Sequence, residues 1–158
     1  MLTFAEALER AIEAERQGAA FYRMLAGLFA QADARAFLHD MAAEEEEHAG
    51  ILAGMAAGGT RAAVDWEHVL ALHTHEPDPD PMVGEGELSL REAVDIALEA
   101  ERHAAWTYAS MGAETEGETQ ELFTRLALTE QRHAQVLERL LSELDAQQIT
   151  PFYRQHLG

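Results

Sequence analysis

Residues 11–22, AIEAERQGAAFY, and residues 97–108, ALEAERHAAWTY, are two copies of one segment, offset by 86 positions. Ala11/Ala97, Glu13/Glu99, Ala14/Ala100, Glu15/Glu101, Arg16/Arg102, Ala19/Ala105 and Tyr22/Tyr108 are identical across them. A second pair, EEEHAGIL at 45–52 and EQRHAQVL at 130–137, is offset by 85 and matches Glu45 with Glu130 and His48 with His133. A helix-favouring composition repeats Ala and Glu unaided, but it does not readily repeat Tyr and His at matched offsets. The chain is therefore a duplicated unit, and what one half buries the other must bury too.

Each half reads as a pair of helices. Ala, Leu, Glu and Arg dominate and Pro is absent from residues 1–76, a composition that favours long helices. Thr3–Glu6 (TFAE) and Ser89–Glu92 (SLRE) form capping boxes that obey the same offset of 86, and Thr115–Glu118 (TEGE) is a third, weaker match to the pattern. Gly58 and Gly59 terminate a helix. The pattern predicts helices over 4–29, 33–57, 90–114 and 117–146. The connection at about 58–89 is rich in Pro, Gly and Asp and reads as a loop, with a short helix around Asp65–Leu72. The expected architecture is all-α: a four-helix bundle over 1–147, built as two helical hairpins joined by a long crossover, with a C-terminal tail at 148–158.

Charge and composition exclude several functions. The chain has 158 residues, a formal net charge of −18, eleven Lys and Arg together, and no Cys. One domain of this length buries a sizeable core. Scattered cations do not supply the clustered Lys and Arg that phosphate binding needs, so no nucleic-acid or anionic-membrane partner is expected. The absence of Cys excludes disulfides, thiolate metal sites and iron–sulfur clusters. No apolar run approaches the ~20 residues of a membrane span. The N-terminal MLTFAEALERAIEAE carries acids where a signal peptide has a basic start, so the expected location is cytoplasmic.

Core positions of a bundle helix recur at alternating steps of three and four. On the first helix the stripe is Leu8, Ile12, Glu15, Ala19, Tyr22, Ala26, Phe29; on the third it is Val94, Leu98, Glu101, Ala105, Tyr108, Gly112. On the second it is Leu38, Met41, Glu45, His48, Leu52, Met55; on the fourth it is Phe123, Leu126, Glu130, His133, Leu137, Leu140, Leu144. Every helix thus carries one Glu in its buried stripe, and two add a His one turn later. In AEEEEHA (43–49), Glu44 and Glu45 compete for the inward position. The repeat decides for Glu45, because its partner is Glu130 whereas Glu44 aligns with Thr129. Glu44 is left in a supporting position, and Glu46 and Glu47 are expected in solvent.

Four carboxylates in one apolar layer do not stay ionised without compensation, since one buried ion costs several kcal/mol. Two divalent cations would balance the four negative charges beside two neutral imidazoles. In the metal-free chain, removing any of the four acids should relieve repulsion. Oxygen-rich ligation with one nitrogen per ion suits Fe or Mn better than Zn or Cu. A Glu from each of two helices and Glu-x-x-His from each of the other two is the ligand pattern of di-iron and di-manganese carboxylate bundles. Tyr22 and Tyr108, seven residues after Glu15 and Glu101 on the same faces, are candidates for hydrogen bonds to ligand carboxylates or for an electron relay. Met41 and Met55 read as packing. His73, His75, Asp78 and Asp80 in the connection offer metal-binding chemistry, although a solvated acidic loop is the simpler reading.

The set Glu15, Glu45-x-x-His48, Glu101, Glu130-x-x-His133 resembles the rubrerythrin branch of the ferritin-like superfamily across all four helices. The resemblance implies a ferritin-like bundle with two Fe ions, Mn being the alternative. Glu15 and His48 would bind one ion, Glu101 and His133 the other, and Glu45 and Glu130 would bridge. It further implies peroxide or dioxygen reduction or ferrous-iron oxidation, an external electron donor, and a homodimer; Phe21, Trp106, Phe152 and Tyr153 supply candidate contact surface. Iron storage or delivery, a manganese catalase and a di-iron hydroxylase share the ligand set. The sequence departs from relatives at three places. With no Cys in these residues a cysteine-bound rubredoxin domain is not expected, Ala104 stands where rubrerythrins proper place an additional Glu, and Glu46 follows Glu45 where bacterioferritins place a haem-binding Met, so no haem is expected.

Overall fold

A computed structural model describes residues 1–58 and 88–156, the backbone alone for 147–156. The described residues form four helices and no strand: α1 (Phe4–Ala26), α2 (Ala32–Ala56), α3 (Leu90–Ala113) and α4 (Gly117–His156). Helices α1 and α2 pack as one hairpin and α3 and α4 as the other, with α2 against α3 and α1 against α4 joining the halves. The chain is a four-helix bundle.

Local chemistry sets most of the ends. Thr3 Oγ1 accepts from Glu6 N at 3.2 Å while Glu6 Oε2 accepts from Thr3 N at 2.8 Å, and Ser89 and Glu92 repeat both bonds. Each box satisfies two amide hydrogens that the first turn leaves open. Helix α2 stops at Ala56, followed by Gly58 at φ +97°, a conformation that only glycine adopts without strain. Three ends differ from the sequence reading. Helix α1 closes at Ala26 instead of residue 29, yet Phe29 stays buried as the chain turns. Thr115 does not cap α4; its hydroxyl turns back and donates to Met111 O at 3.0 Å and Gly112 O at 3.1 Å. Helix α4 continues through the expected tail to His156. Pro151 falls inside this extension, where a proline removes one backbone hydrogen bond and crowds the carbonyl four residues earlier. The expected helix at Asp65–Leu72, Gly59, the connection residues His73, His75, Asp78 and Asp80, and the side chains of Phe152 and Tyr153 lie outside the described residues.

The buried stripes face one another as the three-and-four spacing requires, with Leu140 and Leu144 only half-buried toward the end of α4. The apolar interior has two clusters. One includes Phe29, Phe37, Leu38, Met41, Val94 and Leu98; the other includes Leu8, Ile12, Leu52, Leu122, Phe123 and Leu126. Between them lies a layer of acids and imidazoles, so the bundle's weakest hydrophobic section is its middle. Surface pairs Arg91–Asp145 and Arg102–Glu138, both at 2.6 Å, tie α3 to α4; exposed to solvent, they add little to stability. No described helix is long and apolar enough to cross a membrane.

Candidate metal centre

Glu15, Glu45, His48, Glu101, Glu130 and His133 are all buried in that middle layer. The helical period turns each side chain inward, and the matching positions of the two halves bring them to the same height. Ligand-type atoms of Glu15, Glu45, His48 and Glu130 lie within 4.8 Å of one another, as do those of Glu101, Glu130 and His133. Glu130 belongs to both groups and Glu45 to one, an asymmetry that the repeat does not reveal.

The imidazoles present Nδ1 to the acids. His48 Nδ1 is 3.3 Å from Glu15 Oε2, and His133 Nδ1 is 3.4 Å from Glu101 Oε2 and 3.7 Å from Glu130 Oε2. The two rings stack with centroids 5.2 Å apart. Glu44 is also buried, but it sits behind His48: its Oε2 is 3.9 Å from Nε2, beyond hydrogen-bond reach. Glu46 and Glu47 are exposed, Glu46 pairing with Arg23. Thr129, the counterpart of Glu44, spends its hydroxyl on Arg125 O of its own helix at 2.9 Å.

The tyrosines cross between the halves. Tyr22, on α1, donates to Glu101 Oε1 on α3 at 2.6 Å; Tyr108, on α3, donates to Glu15 Oε1 on α1 at 2.5 Å. Each terminal acid therefore has one oxygen held by the opposite hairpin and turns the other, Oε2, toward a histidine. Burial, then the neighbouring carboxylates (Glu101 for Tyr22, Glu15 for Tyr108), push both phenols well above their ordinary value, so they stay protonated and donate.

The acids divide into two kinds. Burial pushes Glu15 up, but hydrogen bonds from His48, Glu45 and Tyr108 outweigh it and the carboxyl lies below its ordinary value. For Glu101 burial is outweighed by the nearby Glu130 carboxyl, the His133 imidazole and the hydrogen bond from Tyr22, which bring it to about 2. Glu45 and Glu130 are raised well above the ordinary value, by burial first; next comes the charge of Glu15 for Glu45 and of Glu101 for Glu130. In the metal-free layer the two central acids thus hold their protons more tightly than Glu15 and Glu101 do.

The residue set fits bound cations. As carboxylates, Glu101 Oε2 and Glu130 Oε2 are buried acceptors with no donor among the described residues. Such atoms are costly unless a proton or a cation lies between them. Gly18 makes room for this, because a Cβ there would stand 3.2 Å from Glu45 Oε2. A cleft of about 310 Å³ opens between α1 and α3 and reaches Glu15, Glu45, Glu101 and Glu130. The sequence reading named none of its wall residues Ala14, Gly18, Ala100 and Ala104 as site residues. A signal was present, since small side chains recur at the repeat's offset of 86 at both positions.

The tyrosine pattern carries a test. Tyr22→Phe is expected to lower affinity for a probe ion such as Co²⁺ by about tenfold or more, acting through Glu101. A double-mutant cycle should give coupling between Tyr22 and Glu101 and almost none between Tyr22 and Glu15. Coupling to Glu15 instead would contradict the crossed arrangement.

A family model described as Rubrerythrin matches residues 6–141 of the chain, with a second, overlapping match over 92–157. Comparison with curated proteins and with solved structures returned no match.

Proposed function

The chain belongs to the rubrerythrin family, and on that premise we propose that it is a di-iron carboxylate redox protein that reduces peroxide or dioxygen. The observation that carries this reading is the buried layer of four carboxyl groups and two imidazoles whose ligand-type atoms converge across the bundle. Glu15 and His48 would hold one ion and Glu101 and His133 the other, with Glu130 shared and Glu45 completing the first group. Bound there, two redox-active divalent ions supply the two electrons that cleavage of an O–O bond takes up.

The chain's own residues do the rest. Tyr108 and Tyr22 hold Oε1 of Glu15 and Glu101, so each acid offers Oε2 inward in a preset orientation. Glu45 and Glu130 release their protons as cations enter, so uptake of metal weakens as pH falls. The two apolar clusters keep water from either end of the layer, and the cleft between α1 and α3 admits the oxidant. Re-reduction needs a separate donor, an external redox protein or reductase. The overall acidity attracts cations and is consistent with a cytoplasmic protein.

Native protein should contain about two ions per chain, roughly 3.5–4 Å apart, as read by metal analysis and X-ray absorption. Stopped-flow mixing of the reduced form with peroxide should give a faster oxidation than air-saturated buffer does. One ion per chain at saturation, or no oxidation by either, would refute the reading. Dismutation of peroxide with no reductant present would reassign it as a catalase. Homodimerisation is also proposed, from Met24, Leu28 and Trp106, which are 59%, 66% and 66% exposed; Phe21 instead lines the cleft. Sedimentation should show a dimer at micromolar concentration, and Leu28→Glu should shift it toward monomer.

A further inference from the structure

The cleft is larger than the proposed reaction of peroxide or dioxygen needs. Its volume of about 310 Å³ is room for on the order of ten water-sized groups, whereas hydrogen peroxide fills about two. Its walls are Gly18 and Phe21 of α1, with the exposed Ala14 at their edge, and Ala100, Ala104 and Thr107 of α3, the Thr107 hydroxyl donating to His103 O at 2.9 Å. Its floor is the buried acids with Tyr22 and Tyr108 beside them, and its rim includes the exposed Gln17 and His103. The interior is thus apolar along the wall and polar at the bottom. Ala14 with Ala100, and Gly18 with Ala104, occupy matching positions of the repeat. The width between α1 and α3 comes from small side chains at both levels.

We infer that the cleft accepts an organic hydroperoxide bearing a compact apolar group, as the substrate class of the redox site proposed above, on which this inference rests. A hydroperoxide is polar at its reactive end and apolar elsewhere, which matches the floor and the wall in order. Its hydrocarbon part leaves water against Phe21, Ala100 and Ala104, and the O–O group reaches the layer where the acids converge. A plain hydrocarbon awaiting hydroxylation has no polar end for that floor to select. In the reaction the O–O bond breaks. One oxygen stays on carbon as an alcohol and the other leaves as water. Two electrons come from the reduced metal pair and two protons from solvent, and the external donor then returns two electrons to the pair.

Two measurements test this. Metal-free wild-type protein is titrated with 2-phenylpropan-2-ol, the alcohol product of cumene hydroperoxide, and followed by ligand-observed NMR. Binding in the millimolar range or tighter is expected, weakened about tenfold by Ala104→Phe, which fills the wall. The reduced, metal-loaded protein is then mixed with cumene hydroperoxide or hydrogen peroxide in single-turnover stopped flow. Cumene hydroperoxide should react at least as fast, and Ala104→Phe should lower the ratio of the two rates about tenfold. Ala100→Leu, checked for folding by circular dichroism, gives the same reading from a second wall position should Ala104→Phe fail to fold. Absence of alcohol binding, or an unchanged ratio in a folded variant, overturns the inference. So does reaction with hydrogen peroxide alone, which leaves the redox reading standing. Reaction with neither oxidant overturns both.

Discussion

Glu130→Ala is expected to lose both metal ions, while Glu15→Ala and Glu101→Ala each weaken binding chiefly in their own half. Among the described residues, Glu130 is the one acid present in both groups of converging atoms. Without it the second group is reduced to Glu101 and His133, and the first loses one of four members. Glu45→Ala removes a member of the first group alone and should rank between. Loss of a ligand exceeds the ten- to hundredfold effect usual for a supporting residue, so a drop of more than about 100-fold is expected for Glu130→Ala. Metal analysis after dialysis against a weak chelator reads this as far less than one ion per chain, against about two for wild type. Retention of two ions by Glu130→Ala would remove the layer from consideration as the metal site.

The metal-free protein should respond to the same acids with opposite signs. Glu45 sits in the layer at the expense of a raised proton affinity, caused by burial and then by Glu15, Glu130 and Glu101. Replacing it with Leu fills the volume with an apolar side chain and removes that strain. Exchange of buried ionic groups for apolar ones is often neutral or stabilising by about 1–4 kcal/mol, which is roughly 2–4 °C of melting temperature per kcal/mol at this size. Glu15→Ala should instead melt lower when metal-free, because the Tyr108 hydroxyl and His48 Nδ1 lose their partner, at about 1–3 kcal/mol for the orphaned group. The pH dependence follows from the directions. A carboxyl whose pKa is raised in the folded state favours folding below its unfolded value, near 4.5, and loses that contribution as pH rises through the folded value. The advantage of Glu45→Leu over wild type therefore grows from about pH 4.5 upward. Calorimetry of both variants at pH 5 and pH 7.5 checks the two signs, and a Glu15→Ala protein melting above wild type would contradict the hydrogen-bond account.

That second result departs from what charge counting on the sequence suggests. Read as a stripe, the four acids are equivalent, and removing any of them should relieve the metal-free bundle. The tertiary structure separates them, since Glu15 and Glu101 accept from tyrosines and are shifted down while Glu45 and Glu130 are shifted up. Donors such as Tyr22 and Tyr108 come from the other hairpin, and no periodicity on one helix states which tyrosine reaches which acid.

Sequence alone determined the four helices, the capped starts of α1 and α3, the duplication, and the face each helix buries. These follow from local hydrogen bonding and from the 3.6-residue turn, which act within a few residues of chain. It also placed Glu15, Glu45, His48, Glu101, Glu130 and His133 on buried stripes, and the repeat chose Glu45 over Glu44. The tertiary structure decided that Glu130 belongs to both groups of converging atoms, that the tyrosines brace crosswise, and that small side chains leave a cleft between α1 and α3. Each of these depends on the distance and rotation between segments far apart in the chain, set by how side chains of the whole bundle pack, and neither helical period nor local capping encodes that distance.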